Sequence, residues 1–230
     1  MTNVYEHRLS EYDESRIPPA LAVIVAAVLY LRLPDKYIVS GNIPVLGVAR
    51  YVLPALEILL LAPLFLAAPR SELLGRFWQR RMVLGLIGLI SVANAGSMIL
   101  LVHYIITGHK LGGHELVLAS IDIWWTNLIV FSLWFWQLDG GGPLKRRPDQ
   151  PGYERDFLFP QLESPAFARP GWRPTYLDYL YTSFTNAAAF SPTDVLPLTR
   201  LAKMLMLVES AASLLTLLMV ASRAVNILGT

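Results

Sequence analysis

The sequence contains no cysteine and little charge. The absence of Cys excludes disulfides, thiolate metal sites and cysteine nucleophiles. Charged residues make up 16% of the 230-residue chain, whereas roughly a quarter of an average soluble domain is charged. The net charge of +2 is small and the basic residues fall mainly between apolar runs, so nucleic-acid binding is not indicated.

Local motifs of enzymes are also lacking. No nucleophile elbow, phosphate-binding loop, dinucleotide fingerprint or metal-ligand spacing occurs along the chain. His109, His114 and Glu115 lie close together, but they occupy a glycine-containing loop that we interpret as an exposed polar turn. The sequence therefore predicts no catalytic activity, no cofactor and no bound metal.

Long apolar segments are the dominant feature of the chain. Hydrophobic residues account for 54% of it, and a helix needs about 20 of them in succession to cross a bilayer core of roughly 30 Å. Segments that approach this length are residues 17–33, 51–68, 82–107, 116–138 and 201–228. They predict an all-α integral membrane protein with about five transmembrane helices, or four if the short first segment does not span.

Two polar segments lie outside these helices. Residues 1–16 are of mixed charge, unlike a secretory signal, and predict a short N-terminal tail. Residues 139–174 are rich in Pro and Gly, which opposes regular structure. The apolar residues within this second segment include Phe157, Leu158, Phe159, Phe167 and Trp172. Because of them, we expect the segment to lie ordered against the membrane face.

One apolar segment is too short to cross a bilayer. Residues 176–190 are apolar and aromatic but number only 15, and Pro192 follows soon after them. Short apolar runs are more often re-entrant or interfacial than spanning. A re-entrant half-helix has to end in protein or in a wet cavity, because its terminal backbone groups need hydrogen-bond partners. The pattern therefore predicts a re-entrant half-helix before the last helix, together with a pore or a binding site.

Residues 176–228 resemble the pore hairpin and inner helix of potassium-channel-like proteins. Members of that family have a Thr-rich pore helix, the filter TVGYGD, a Pro and a Thr, and then a long apolar inner helix. This chain has TSFTNAAAFSPTDVLPLT and then its last apolar segment. In an ungapped alignment Asp194 stands at the filter Asp, and Pro197 and Thr199 stand at the Pro and Thr beyond it. The whole chain also resembles a set of bacterial integral membrane proteins, without an assigned activity, that share a Gly-Gly-Pro after the fourth helix and an FSPTD turn.

The resemblance implies that the pore filter consists of residues at and after the end of the half-helix. These residues are Thr185, Ala189, Phe190, Ser191, Pro192, Thr193 and Asp194. The two filter glycines of the family, which permit its carbonyl-lined geometry, are replaced here by Ser191 and Thr193. We therefore expect a divergent filter that presents side-chain oxygens, in which a ring of Asp side chains favours cations. The alternative is that the SPTD turn only caps the following helix.

The resemblance also implies an assembly. One hairpin cannot enclose a pore, so function requires a homo-oligomer in the lipid bilayer, by resemblance a tetramer, which conducts inorganic ions and in particular monovalent cations. Residues 116–230 form the pore-like unit, with an outer helix at 116–138, a turn at 191–199 and an inner helix at 201–228, and residues 17–115 form a three-helix peripheral bundle. The alternatives are a secondary transporter or proton-coupled carrier, and a non-conducting membrane scaffold.

Ionisable residues within the apolar segments are further candidates, because they are costly in a bilayer and usually face a bundle interior or water. Glu57 and Asp122 are predicted to be buried carboxylates. Glu209, Ser213 and Thr216 share one face of the last helix. They are predicted to line the cavity, unless they form hydrogen bonds with a neighbouring helix. In a transporter, the three acidic residues would be the carriers.

The basic residues predict the orientation in a bacterial inner membrane. Five spans place 14 of the 19 Lys and Arg residues on the side of the N-terminus and residues 139–174, and the other 5 on the opposite side. Lys and Arg concentrate in cytoplasmic loops, so we expect the N-terminus and residues 139–174 of this multi-pass chain in the cytoplasm. Ordinary potassium channels have the opposite arrangement, and we give the charge distribution precedence.

Overall fold

The computed structural model describes most of the chain, namely residues 15–34, several positions between 51 and 58, and residues 74–107, 113–143, 146, 154–189 and 194–228. These residues are mostly helical, which confirms the predicted all-α architecture. The second apolar segment lies largely outside the described residues, and so do Glu57 and His109.

The helices are labelled here in chain order: α1 is Ile17–Arg32, α2 is Leu74–Ile106, α3 is Gly113–Leu138, α4 is Pro160–Glu163, α5 is Tyr176–Ala189 and α6 is Arg200–Leu228. Between them lie the 3-10 turns Asp139–Gly141 and Pro165–Phe167 and the two-residue strands β1, Phe157–Leu158, and β2, Leu196–Pro197. Within the described residues, the windows Arg80–Ile106, His114–Gly141 and Arg200–Ser222 are long and apolar enough to cross a membrane.

The helix boundaries follow the predicted apolar segments closely, with one marked exception. Helix α2 begins at Leu74, whereas its apolar segment begins at residue 82. The added residues include Arg and Gln, which are good helix formers and continue the helix beyond its apolar part. Helix α1 has 16 residues and therefore rises about 24 Å, which is short for a bilayer core of roughly 30 Å.

Helix α3 is the centre of the fold. It packs against α1, α2, α5 and α6, and its apolar window is the most buried of the three long ones. Large side chains on α3, such as Leu128, Leu133 and Phe135, are completely enclosed. By contrast, α6 presents an outward face of exposed Leu, Met and Val side chains. Such a face requires apolar surroundings.

Helices α5 and α6 begin at the same end of α3. Near the start of α5, Tyr179 donates a hydrogen bond to Asp139, which directly follows α3. Strand β2, just before α6, pairs antiparallel with β1, with Phe157 opposite Pro197. Helix α5 has 14 residues and α6 has 29, so they rise about 21 Å and about 44 Å. Helix α5 therefore ends about halfway along α6.

Residues 154–174 pack against this end of the bundle. Phe157 and Phe159 are buried in the main core, as expected for an ordered segment. The ring of Phe159 lies 5.3 Å from that of Tyr179 and 5.8 Å from that of Trp172, measured between centroids. Phe167 departs from this pattern, because 94% of its surface is exposed.

Candidate functional site

The candidate site is the hairpin that consists of α5, its return through Asp194 to β2, and the first half of α6. Three groups of contacts fix its position. A cluster of polar side chains holds the open end of the hairpin, where α5 and α6 begin, to the end of α3. A buried carboxylate joins α5 to α6, and Asp194 contacts the outer side of α5.

Asp139 is the centre of the cluster at the open end. Only 2% of its surface is exposed. Its Oδ1 accepts hydrogen bonds from the backbone N–H groups of Asp156, at 2.9 Å, and Phe157, at 3.2 Å. Its Oδ2 accepts a hydrogen bond of 2.5 Å from the Tyr179 hydroxyl and lies 3.6 Å from Nε of Arg146. One carboxylate thus joins the end of α3 to β1 and α5.

Arg146 supplies the positive charge of this cluster. Its Nη2 donates to the backbone carbonyl of Trp136 at 2.5 Å, and its Nη1 donates to that of Pro174 at 3.4 Å. The guanidinium also stacks over the ring of Tyr179, 4.8 Å from the centroid, in a cation–π arrangement. The buried Asp139 carboxylate therefore has a matching buried cation, which a buried charge requires.

Asp156 extends the cluster to the start of α6. Its Oδ2 accepts a hydrogen bond of 3.1 Å from the N–H of Gly140, and its Oδ1 accepts one of 2.6 Å from the Thr199 hydroxyl. Gly140 has a φ of 58°, which is a conformation that favours glycine. Thr199 Oγ1 in turn accepts the N–H of Ala202 at 3.2 Å, so it also caps α6.

We call this group the polar clamp. Its members are Asp139, Arg146, Asp156, Tyr179 and Thr199. From the sequence, Thr199 is only a point of the potassium-channel resemblance, and no local pattern predicts that these side chains meet. One sequence signal of the clamp was available: Asp139 lies at the end of an apolar segment and is followed directly by glycines.

Glu209 joins α6 to α5 inside the hairpin. The residue is completely buried. Ser183 donates a hydrogen bond to Oε1 of Glu209, and Asn186 donates one of 2.6 Å to Oε2. Asn186 also donates to the backbone carbonyl of Met206 at 2.9 Å. The polar side of α5 therefore faces α6.

Ser213 and Thr216 also point into the interior of the chain. Ser213 accepts a hydrogen bond of 3.2 Å from Asn127 on α3, and Asn127 accepts one of 3.5 Å from Asn94 on α2. Thr216 is buried and donates to its own helix at Ala212. In a single chain, Glu209, Ser213 and Thr216 are all buried, and their role as cavity-lining residues of an oligomer stays a prediction. For Glu209 and Ser213, the interhelical hydrogen bonds that were the alternative interpretation are present.

Three of the predicted filter residues are described. Thr185 is half-buried and donates to carbonyls of its own helix, those of Tyr181 and Thr182. Ala189 is the exposed last residue of α5. Asp194 is exposed, and its Oδ2 accepts a hydrogen bond of 3.4 Å from the Tyr181 hydroxyl. The other predicted filter residues lie outside the described residues, and they are Phe190, Ser191, Pro192 and Thr193.

Asp122 is buried, but it belongs to another part of the fold. Its Oδ2 lies 3.7 Å from Nε of Arg32 on α1, whose side chain is 58% exposed. Asp122 precedes Asp139 on α3 by 17 residues, so the two lie about 25 Å apart along the helix. Within the described residues, no hydrogen bond or ion pair joins Asp122 to Glu209. The structure therefore does not bring Asp122 and Glu209 into one group, and Glu57, the third proposed carrier, lies outside the described residues.

Comparisons of the chain with known protein families, with curated proteins and with solved structures gave no match. The function of the hairpin is therefore inferred from its own geometry. The relevant features are the length of α5, the return of the chain to the clamp, and the carboxylates at Asp194 and Glu209.

Proposed function

We propose that the chain is an integral membrane protein that assembles into a homo-oligomeric, channel-like pore for cations. The α5–α6 hairpin would be the pore-forming unit, and residues 189–194 would form its constriction. The three long apolar windows support membrane insertion. With α1 and residues 51–68 as further spans, the chain would cross the bacterial inner membrane about five times, with residues 139–174 in the cytoplasm.

The observation that carries this proposal is the geometry of α5. The helix starts at the polar clamp, rises about 21 Å and is followed by a return to the same clamp at β2. If the clamp lies at a membrane boundary, α5 ends inside a hydrocarbon core of roughly 30 Å. A chain reversal at that depth is stable only where protein or a water-filled cavity surrounds it. A pore satisfies that requirement.

Charge supports a preference for cations. The part of the hairpin that precedes α6, residues 174–199, contains two acidic residues, Asp178 and Asp194, and no Lys, Arg or His, whereas Arg200 and Lys203 lie in the first turn of α6. The C-terminal end of α5, at Ala189, also carries the negative end of the helix dipole. In an oligomer the exposed Asp194 side chains would form a ring of negative charge, and such rings favour cations in channels.

The exposed face of α6 supports an assembly in the membrane. Apolar residues that are largely exposed on this helix include Leu201, Met204, Leu207, Val208, Leu214 and Leu218. The described residues of a single chain leave this face exposed, and lipid or neighbouring copies of the chain would cover it. Because one hairpin cannot surround a pore, we propose several copies around a common axis, and the potassium-channel resemblance implies four.

Electrical recording from the purified chain in planar bilayers tests the proposal. We expect currents with a higher permeability for K⁺ or Na⁺ than for Cl⁻. In Asp194→Asn this permeability ratio should fall about fivefold, because one charge at about 4 Å in a wet site contributes about 1 kcal/mol. Glu163→Gln is the matched control, since Glu163 is exposed but lies outside the hairpin, and it should leave the ratio unchanged.

Two results would contradict the proposal. A chain that is monomeric both in detergent and after cross-linking in its native membrane cannot form the pore. A chain that assembles but passes no ions under any applied voltage is a scaffold. Saturable uptake of a solute that depends on a pH gradient, without unitary currents, would instead support a transporter.

A further inference from the structure

Phe167 is exposed to an unusual degree. It lies at the end of the 3-10 turn Pro165–Phe167, outside the long apolar helices. Its exposed fraction of 94% is the largest among the big apolar side chains that the structure describes, and the next largest is 76% at Ile106, on a membrane-length helix. A bilayer explains the exposure of Ile106. Phe167 needs a separate explanation.

The segment that carries Phe167 is basic. The stretch from residue 164 to residue 175, called here the arm, contains Arg169 and Arg173 and no acidic residue. Arg169 is exposed, and so are Arg200 and Lys203 at the start of α6. Phe167 and Arg169 are both exposed and lie two residues apart, and an apolar ring next to a cation is the composition of segments that lie in the headgroup region of an anionic bilayer.

The arm is also at the right level for a bilayer surface. It connects residues of the polar clamp region to α5, and α3 ends there with Trp134 and Trp136. Trp172, within the arm, packs on Phe159. Trp and Tyr side chains are enriched at membrane–water boundaries. Trp134 and Trp172 are half-buried and fit such a boundary, whereas Trp136 is buried in the core, and Phe167 lies in the same part of the chain as Trp172.

We propose that the arm is a lipid-binding element, in which Phe167 enters the acyl region just below the headgroups while Arg169 binds the phosphate of an anionic lipid. The cytoplasmic leaflet carries such lipids, in agreement with the side assigned to residues 139–174 by the charge distribution. The proposal goes beyond the proposed function, because it holds whether or not the hairpin conducts ions.

A second copy of the chain is a less suitable occupant for this surface. If two arms met, Arg169 of one copy would face a surface that carries the same cation, and like charges repel at an interface. A lipid surface of negative charge has the complementary sign. We therefore assign the arm to lipid, and the experiment below includes protein contact as an outcome.

The natural absence of cysteine makes the test direct. Phe167→Cys, labelled with the fluorophore NBD, is reconstituted as the full chain into vesicles of phosphatidylcholine with phosphatidylglycerol in equal parts. Glu163→Cys carries the same label as a control, since Glu163 is exposed on the neighbouring helix α4. Quenching is measured with brominated lipids, which act from the acyl region, and with iodide, which acts from water.

The proposal predicts strong quenching of the label at residue 167 by brominated lipid and strong quenching of the label at residue 163 by iodide. Greater quenching by iodide at residue 167 would overturn it. Quenching by neither agent would also overturn it and would indicate burial against protein.

A second variant tests the role of the arginine. Lipid quenching of the label at residue 167 is compared between anionic vesicles and vesicles of pure phosphatidylcholine. Arg169→Gln, introduced into the labelled Phe167→Cys chain, should lower the ratio of the two by about fivefold, the effect expected for one basic residue at an anionic surface. If the ratio is unchanged, Arg169 does not bind the anionic lipid and that part of the proposal is wrong.

Discussion

Replacement of Asp139 by Asn should strongly destabilise the end of the bundle where α3, α5 and α6 meet. The carboxylate accepts hydrogen bonds from two backbone N–H groups and from Tyr179, and it faces Arg146. Asn keeps the size of the side chain and one acceptor oxygen. Its amide group, however, would face the Tyr179 hydroxyl and the Arg146 guanidinium, which are both donors.

The magnitude follows from burial. The side chains of Asp139 and Arg146 are 3% and 6% exposed, so solvent does not screen the charge that remains in the variant. Removal of one partner from a buried ion pair costs about 3–5 kcal/mol. A cost of that size is a large fraction of the 5–15 kcal/mol by which a typical domain is stable.

The assay is reversible unfolding of the detergent-solubilised chain, followed by tryptophan fluorescence, for the wild type and its variants. Tyr179→Phe removes one hydrogen bond to the carboxylate but keeps the ring under Arg146, so it should cost about 1.5–3 kcal/mol. The double variant with Asp139→Asn should lose less than the sum of the two single losses, because both remove the same contact. Glu163→Gln, an exposed change, should stay within about 0.5 kcal/mol.

A free energy of unfolding for Asp139→Asn that equals that of the wild type, within about 0.5 kcal/mol, would contradict this prediction. That result would mean that the clamp carboxylate is either not paired with Arg146 or accessible to water. If Asp139→Asn lost only as much stability as Tyr179→Phe, the hydrogen bonds of the carboxylate would explain the loss. The buried ion pair with Arg146 would then contribute nothing measurable.

Two further predictions use the same unfolding assay. Glu209→Gln should cost less than about 1 kcal/mol of stability. Glu209→Leu should cost about 1–3 kcal/mol, because the Leu side chain leaves the donors on α5 with fewer acceptors. A Leu variant more stable than the wild type would contradict the view that this carboxyl holds α5 and α6 together. Thr199→Val should cost about 1–2 kcal/mol of stability through loss of the cap on α6 and of the hydrogen bond to Asp156. Thr199→Ser keeps the hydroxyl and should be nearly as stable as the wild type. Equal losses for Val and Ser would show that the hydroxyl contributes nothing.

The helical architecture could be predicted because it depends on local patterns. Apolar runs predicted the bounds of α6 to within one residue and those of α3 to within three, and the small number of apolar residues after Tyr176 correctly predicted a helix much shorter than its neighbours. The predicted start of α2 was wrong by about two turns, since the helix continues into a basic stretch that hydropathy alone excludes from it.

Local patterns could not predict the contacts of the site, because these contacts join residues far apart in the chain. Tyr179 and Asp139 are 40 residues apart, and Thr199 and Asp156 are 43 apart. Periodicity placed Glu209 on a polar face of its helix, but it could not decide whether that face met a cavity or another helix. The structure places it against Ser183 on α5.

Residues 154–174 show the same limit for apolar side chains. Phe159 and Phe167 are the same residue type in one irregular segment, and hydropathy treats them alike. Phe159 is buried because it meets the rings of Tyr179 and Trp172, whereas Phe167 follows a turn that carries it away from the core. Only the tertiary path of the chain separates the two.

The position of α5 also sets an order of events during biosynthesis. Ser183 and Asn186 leave the ribosome before β2 and before α6, which carries Glu209, 26 residues after Ser183. Until then Asn186 lacks the Met206 carbonyl and the Glu209 carboxylate to which it donates, and unpaired polar groups are disfavoured in a hydrocarbon environment. Helix α3 is apolar and long enough to be inserted on its own. The contacts of Asn186 with α6 can therefore form only after residues 206–209 have been made.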